Sequence, residues 1–262
     1  MGVEKILVEG KNYAGVELKK GQKLSSDYLI SSAHPQATLS LVEGALSEKY
    51  RGRMMELENT LPSFSLYLGV NDKIQPLDHV VYQYTHNNTS EHLNPNAIKG
   101  ENSAKQIFYT LTPSNLDGLN TLLAVSPVHY KIVRQWESTL TRRRPEDYRR
   151  LKEQYSEQLI DIISQHLPGL KQSIEIKESA SPLTFRDYTS TWQGSTYGIK
   201  KSMEQQGPRG VYHRTRVKNL FFTGQSALLP GMLGTIISSV IACSEIIGLE
   251  PLIDKINQKL ET

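Results

Sequence analysis

The stretch Leu220–Gly248, LFFTGQSALLPGMLGTIISSVIACSEIIG, decides how the chain is read. LFF is a short apolar run of the kind found in buried strands. Gly224 then permits a sharp turn, and a loop leads through PGMLG into a long apolar segment. The layout is strand, turn, helix. Gly231 and Gly234 carry no Cβ, so a ligand can lie against that backbone. The free N–H groups of the following helix point towards such a ligand and favour negative charge. The spacing predicts a helix from Met232 to Gly248, apolar on most sides and therefore buried. Ser238, Ser239, Ala242 and Ser244 would let it approach a sheet closely. Spacing alone does not separate a ligand site from an ordinary core helix of an α/β protein.

Working outward, the N-terminal VEKILVEGKNYAGVEL alternates apolar and polar residues around GKN and predicts a hairpin, strands near 3–9 and 14–19. DYLISSA (27–33) reads as a short buried strand, and PQATLSLVEGAL (35–46) as a helix with Pro35 in its first turn. The middle differs in character. Residues 62–70, 79–85, 105–113 and 120–128 alternate and are rich in Tyr, Val and Phe, as an antiparallel sheet with one covered face requires. Tyr148, Leu151, Tyr155, Leu159, Ile162 and Ile163 recur at helical spacing after Pro145, and Pro168-Gly169 ends that helix. QSIEIK adds a strand. The expectation is an α/β piece at each end, 1–45 and 212–262, around an inserted module, 46–211.

The 262 residues hold 30 Lys+Arg against 27 Asp+Glu, a near balance that gives no lopsided basic stripe and so argues against nucleic acid as a partner. A single cysteine, Cys243, forms no internal disulfide and sits in the apolar helix as packing. Residues 1–20 lack the apolar centre of a signal peptide, and the run at 236–243 is too short for a membrane span. The expected setting is cytoplasmic, with peripheral membrane contact open.

Three stretches together carry a resemblance. LFFTGQSALLPGMLGTIISSVIACSEII (220–247), SPLTFRDYTSTWQGSTYG (181–198) and GVELKKGQKLSSDYLISSAHPQATL (15–39) resemble, in order and separation, segments of the phytoene desaturase, carotenoid isomerase and retinol saturase family of FAD-dependent oxidoreductases. The resemblance implies α/β plus α+β architecture: a partial Rossmann-type FAD-domain remnant, and a substrate domain on a largely antiparallel sheet with helices. It implies FAD contacts at Gly224, Gln225, Ser226, Pro230, Gly231, Met232, Leu233, Gly234 and Thr235. It implies an apolar polyene or isoprenoid substrate, with Tyr188, Trp192, Gln193 and Tyr197 beside it and Ser195 near the flavin. Family members hold the FAD pyrophosphate on a G-x-G-x-x-G turn near the N-terminus. Here Gly10, Gly15 and Gly21 have the wrong spacing. The expectation is a carboxy-terminal portion lacking the N-terminal FAD-binding half as its partner, weak in FAD binding and inactive alone. An unfinished sheet edge would favour a homodimer. The turn reads Gly224-Gln225-Ser226 where related flavoproteins often carry an acidic residue, so the substrate does not carry over.

Other readings stay open. The chain could be a non-catalytic module for an apolar ligand, or a piece of an amine-oxidase-like flavoprotein. No side chain announces a catalytic acid or base. His79, His86 and His92 lack supporting cysteines or carboxylates and read as scattered histidines, not a metal site. TRRRPEDYRR (141–150) reads as a solvated helix face, and NNTS (87–90) matches a glycosylation acceptor.

Overall fold

The computed structural model describes residues 2–44, 46–74, 81–85, 106–113 and 118–260. Along the chain come β1 (Val3–Glu9), β2 (Asn12–Leu18), β3 (Lys23–Leu24), β4 (Leu29–Ser31), α1 (Pro35–Ser40) and α2 (Glu48–Met55). Next are β5 (Ser63–Val70), β6 (Val81–Thr85), β7 (Gln106–Thr112), β8 (Asn120–Pro127), α3 (Glu146–His166), α4 (Leu170–Ser173), β9 (Ile174–Ala180) and α5 (Pro182–Thr189). The last are β10 (Leu220–Phe222), α6 (Gly231–Ile247) and α7 (Leu249–Leu260). Residues divide into two units: 1–60, 190–192 and 197–262 form one; 61–189 and 193–196 form the other. His79, His86, His92 and the NNTS stretch lie outside the described residues.

In the first unit β1, β2 and β3 form an antiparallel meander, and β4 pairs with β10 in parallel, Leu29 opposite Leu220 and Ser31 opposite Phe222. Its core gathers Ile6, Val16, Leu18, Leu39, Met54, Leu220 and Phe222. Two expectations fail here. The helix expected over 35–46 stops at Ser40, because Val42 forms a parallel bridge with Ile6 and Leu41 O accepts from Ile6 N at 2.8 Å. The strand expected to be buried is half-exposed, with Ile30 41% and Tyr28 45% accessible. A parallel strand normally has both faces covered, and this pair has only two members. Helix α2 is not foreshadowed by apolar spacing; its start is fixed by the Ser47 hydroxyl accepting from Tyr50 N.

The second unit is one antiparallel sheet in the order β6-β7-β8-β5-β9. Phe64, Leu66, Leu68 and Val70 of β5 are all buried, so one face of this interior strand is covered along its length. Helix α3 lays Tyr155, Leu159, Ile160 and Ile163 into that core, and the Phe64 and Tyr155 rings lie 4.8 Å apart. Burial pushes the Tyr155 hydroxyl up to about 12. The phenol therefore stays neutral inside the sheet.

A smaller cluster of Val133, Trp136, Tyr148 and Leu183 flanks it. Here the charge run departs from the solvated face expected of it. Arg144 is buried, pairs with Asp187 and stacks over Tyr148 at 5.0 Å. Asp187 also accepts from Thr141 and from Arg186 Nε at 2.9 Å. Burial pushes the Asp187 carboxyl up, but the bonds from Thr141, Arg144 and Arg186 outweigh it and leave the group below its ordinary value. These bonds fix α5, which carries Tyr188. Arg144→Met leaves a half-buried carboxylate short of one partner and is expected to lower the stability of this unit by about 2 kcal/mol, read from urea denaturation. A loss within error would mean that the pair does not anchor α5.

Candidate functional site

The site expected from the sequence lies in the first unit, where the parallel strands β4 and β10 end. In open α/β sheets ligands bind outside the carboxyl ends of the strands. Leu29 N donates to Asn219 O at 2.8 Å and Thr223 N to Ser31 O at 2.9 Å, so the two strands finish level. The chain then turns at Gly224, whose φ of 87° is one that L side chains rarely adopt. Gly224 O accepts from Ala227 N and Leu228 N, which closes the turn.

Ser226 is buried and held from three sides. Its hydroxyl accepts from Ile199 N at 3.4 Å, its carbonyl accepts from Lys201 Nζ at 2.6 Å, and Gly198 packs against its Oγ. Gly198 has φ 71°, and a Cβ there would overlap the Ser226 hydroxyl. Thr60 N–H donates to Gly198 O at 2.8 Å and Tyr197 N–H to Thr60 Oγ1 at 3.0 Å, so residues 197–201 lie as a strap along the turn. Burial lowers the Lys201 ammonium below its ordinary value.

Beyond the turn, Leu229 and Pro230 are exposed and Gly231, at φ 87°, opens α6. Pro230 precedes the helix, no side chain caps it, and its first turn holds no acidic residue. Four N–H groups at a helix start have no intrahelical acceptor. A Cβ on Gly231 would meet nothing within 4 Å. Gly234 differs: a Cβ there would overlap the Leu229 carbonyl, so this glycine serves the approach of the loop to its own helix. The Thr235 hydroxyl donates back to Gly231 O at 3.0 Å and Met232 O at 2.8 Å. Gln225 is half-buried in the turn.

Helix α6 is not buried as expected. Only Gly234, Ser238 and Ala242, a strip at four-residue spacing, are covered. Ser238 accepts from Thr223 at 3.4 Å and lies 3.1 Å from His213 Nε2, which ties the strip to the end of β10. Met232 is 82% exposed and Leu233 70%, with Ile236 and Ile237 beside them. No described surface covers that side. Cys243, expected as buried packing, is only half-covered.

The four expected substrate residues divide between the units. Tyr188, on α5, is exposed, and Gln193 belongs to the same unit. Trp192 and Tyr197 belong to the first unit, and both are exposed. The backbone here is unusual. Ser190 (φ 56°) and Gln193 (φ 50°) are left-handed without being glycine, and Gly194 and Gly198 have φ 69° and 71°. The two non-glycine residues cost about 1–3 kcal/mol each, and such strain concentrates at functional sites; the two glycines adopt the same region without it. Gly194 lies against the Pro182 carbonyl. Ser195 is buried with no hydrogen-bond partner for its hydroxyl among the described residues.

A polar network with no counterpart in the sequence motifs surrounds His34. His34 caps α1 directly after β4, and its Nδ1 accepts from Gln36 N at 3.3 Å. The proton therefore sits on Nε2, which donates to Asn59 Oδ1 at 2.7 Å. Asn59 Nδ2 donates to Gln36 Oε1 at 2.8 Å, and Gln36 Nε2 donates to the carbonyls of Met54, Met55 and Leu57. The donors run one way around the circuit. It clamps the end of β4 to α2 and to the segment that bonds residues 197–199. Burial pushes His34 down to about 4, against the Asn59 bond that favours its charged form. A His directly before a helix-opening Pro is the local signal; its partners at 36 and 59 leave none.

Among the described residues no group of His, Cys, Asp and Glu could hold a metal ion, and no helix is long and apolar enough to cross a membrane.

No protein-family model matches the chain. Among curated relatives, the all-trans-retinol 13,14-reductase of Danio rerio is 23% identical over 92% of this chain and 44% of its own length. The chloroplastic prolycopene isomerase of Daucus carota is 26% identical over 96% and 41%. The zeta-carotene-forming phytoene desaturase of Myxococcus xanthus is 26% identical over 93% and 46%. The chain is a relative of the retinol reductases and of the carotenoid isomerases and desaturases. It spans less than half the length of the relatives named here. Its fold is that of oxidoreductases already solved: one from Methanosarcina mazei (TM-score 0.55, 15% identity) covers 93% of this chain, with 48% of the other chain matched. Cyclohexylamine oxidase from Brevibacterium oxydans (TM-score 0.54, 10% identity) covers 98%, again with 48% matched.

Two outcomes follow from the corner. The unfolded His34 binds a proton near its ordinary 6.5 and the folded one only near 4. Stability should be full at pH 7 and fall as the pH drops from 6.5 towards 4, by about 3 kcal/mol. His34→Gln should flatten that slope in urea titrations at several pH values; an unchanged slope would assign it to other groups. Gly198→Ala forces a Cβ against Ser226 at a left-handed backbone and should cost about 2 kcal/mol, whereas Gly21→Ala, at a similar φ but in open space, should cost less. Equal losses would mean that the strap is not tight.

Proposed function

We propose that this chain is the carboxy-terminal half of an FAD-dependent oxidoreductase that saturates, desaturates or isomerises carbon–carbon double bonds of a retinol-, carotenoid- or other isoprenoid-like substrate. The observation that carries the reading is the corner where β4 and β10 end: a glycine turn with left-handed backbone leading into an uncapped helix start that is open to solvent. The donor set there fits the group. Main-chain N–H groups without acid nearby suit the hydrogen-bond acceptors and negative charge of a flavin nucleotide.

In this reading Gly224, Gln225 and Ser226 line the cofactor, and Pro230, Gly231, Met232, Leu233 and Thr235 present the helix start to it. Gly234 keeps the loop against the helix. FAD, when bound, supplies the hydride or electron exchange with the conjugated chain. The residues of this chain place and tune it. Lys201 and Gly198 fix the turn through Ser226, and the helix start contributes on the order of 0.3–2 kcal/mol towards a negatively charged ring. Tyr188, Trp192, Gln193 and Tyr197 are the substrate residues, their aromatic faces suited to a long polyene. No acid or base is assigned.

The sequence holds no G-x-G-x-x-G turn, so the chain by itself should quench flavin fluorescence weakly and turn over nothing. Mixed with the portion of the Danio rerio relative that lies outside the match, it should bind FAD stoichiometrically. Reduced flavin in that mixture should reoxidise on addition of all-trans-retinol or a linear carotenoid, or the oxidised flavin should be bleached by it, or the geometry of a cis carotenoid should change. Stoichiometric flavin in the isolated chain would refute the need for a second half. A mixture that binds flavin yet handles small amines and no polyene would replace the substrate class.

A further inference from the structure

The second unit holds a charged cavity that the cofactor chemistry does not use. Its volume is about 200 Å³, and it lies between α3 and β9. Arg149, Lys152, Glu153 and Ser156 line it from the helix, and Lys177, Glu178 and Ser179 from the strand. The helical positions are three and four residues apart, so they share one face of α3. Lys177 and Ser179 are two apart and share one face of β9. That strand ends the sheet, and no further described strand lies beyond it.

The charges here do not cancel. Lys177 Nζ donates to Glu153 and, at 2.7 Å, to Glu157, so both carboxylates are committed to one ammonium. Arg149 pairs with Glu146 one turn back, at 3.4 Å and with both side chains more than two-thirds exposed. An exposed pair of that length contributes little. Lys152 is half-buried and forms no hydrogen bond with a described residue; Glu178 and Arg144 act on it through space. Burial pushes its ammonium below the ordinary value, Glu178 opposes that push and Arg144 adds to it. Arg144 is itself committed to Asp187. An ammonium that has left water without a hydrogen-bonded counter-ion is costly. Two uncommitted cations, Lys152 and Arg149, therefore face one carboxylate, Glu178.

We propose that the cavity between α3 and β9 is a binding site for a phosphoryl group, free or carried as a small monoester, held by Lys152 and Arg149 with the Ser179 hydroxyl as a further donor. A phosphoryl dianion matches two cations, whereas a monocarboxylate matches one. Lysine binds phosphate as a point charge and arginine through its fork of N–H donors. The cavity is small beside ordinary ligand pockets of roughly 300–1,000 Å³, which excludes a nucleotide or a long chain. Its residues all belong to the second unit, whereas Gly224 to Thr235 belong to the first, so the site stands whether or not flavin binds.

The test titrates the full chain with inorganic phosphate and, separately, with glycerol 1-phosphate at constant ionic strength, following backbone amides by NMR. The amides of 149–156 and 177–179 should shift together and saturate. Lys152→Gln should weaken binding about tenfold without lowering the melting temperature, since it removes a charge that burial opposes. Arg149→Gln, at an exposed position, is the second variant and should also weaken it. Lys152→Arg should retain binding, and Lys255→Gln, an exposed lysine on α7, should leave it unchanged. Glu178→Gln removes the opposing carboxylate and should tighten it. Tighter binding of the monoester than of free phosphate identifies a small ester as the ligand; equal binding identifies the free ion. Shifts that chloride of equal ionic strength reproduces, or that saturate at other residues, overturn the site. So does phosphate binding that neither Lys152→Gln nor Glu178→Gln alters, which assigns Lys152 to a water-bridged pair with Glu178.

Discussion

The pairing of β4 with β10 is the constraint on which the first unit depends. Three residues on each strand bring together segments nearly two hundred positions apart in the chain. What makes so short a ladder hold is burial on one side only. Leu220 and Phe222 enter the core with Leu39 and Met54, and the small strip Gly234, Ser238 and Ala242 lets α6 approach. The hydroxyls of Thr223 and Ser238 and the ring of His213 satisfy one another at the strand end, so the polar groups there do not oppose the packing. Every feature of the candidate site is measured from this ladder: the turn at Gly224, the cap at His34 and the start of α6.

Two polar systems of different kinds hold the surroundings. In the first unit the circuit of His34, Gln36 and Asn59 is neutral and saturated, and its directionality is set by a single main-chain donor, Gln36 N. In the second unit the anchor of α5 is ionic, with Asp187 at its centre and Arg144 buried against Tyr148. A neutral circuit resists salt and loses its order when a proton enters. An ion pair at low exposure tolerates mild acid and loses its value only when the carboxylate is protonated.

Periodicity made much of this fold legible. β7 and β8 alternate cleanly because each has one wall in a core, and α3 shows its stripe because it lies on a single sheet. α2 was illegible because EKYRGRMM has almost no apolar stripe and depends on its Ser47 cap. The length of α1 was misread because the bridge from Val42 to Ile6 is a non-local event. α6 and β4 were misjudged for another reason. Hydrophobicity reports which residues should be covered, not whether the covering element is in the same stretch of sequence. At the site, Gly224 and Gly231 could be read because backbone freedom is local. Asn59 and Lys201 act only through partners distant in the chain, and Arg144 was hidden inside a run of like charges.

The segment from Ser190 to Gly198 has a consequence for protein engineering. Positions 194 and 198 tolerate no side chain, because the space a methyl group would need is filled by the Pro182 carbonyl in one case and the Ser226 hydroxyl in the other. Tyr188 and Tyr197, by contrast, project from ordered backbone into open surroundings. Substitutions at those two tyrosines should therefore cost the fold far less than any at the two glycines, so diversity introduced into this segment belongs at 188 and 197.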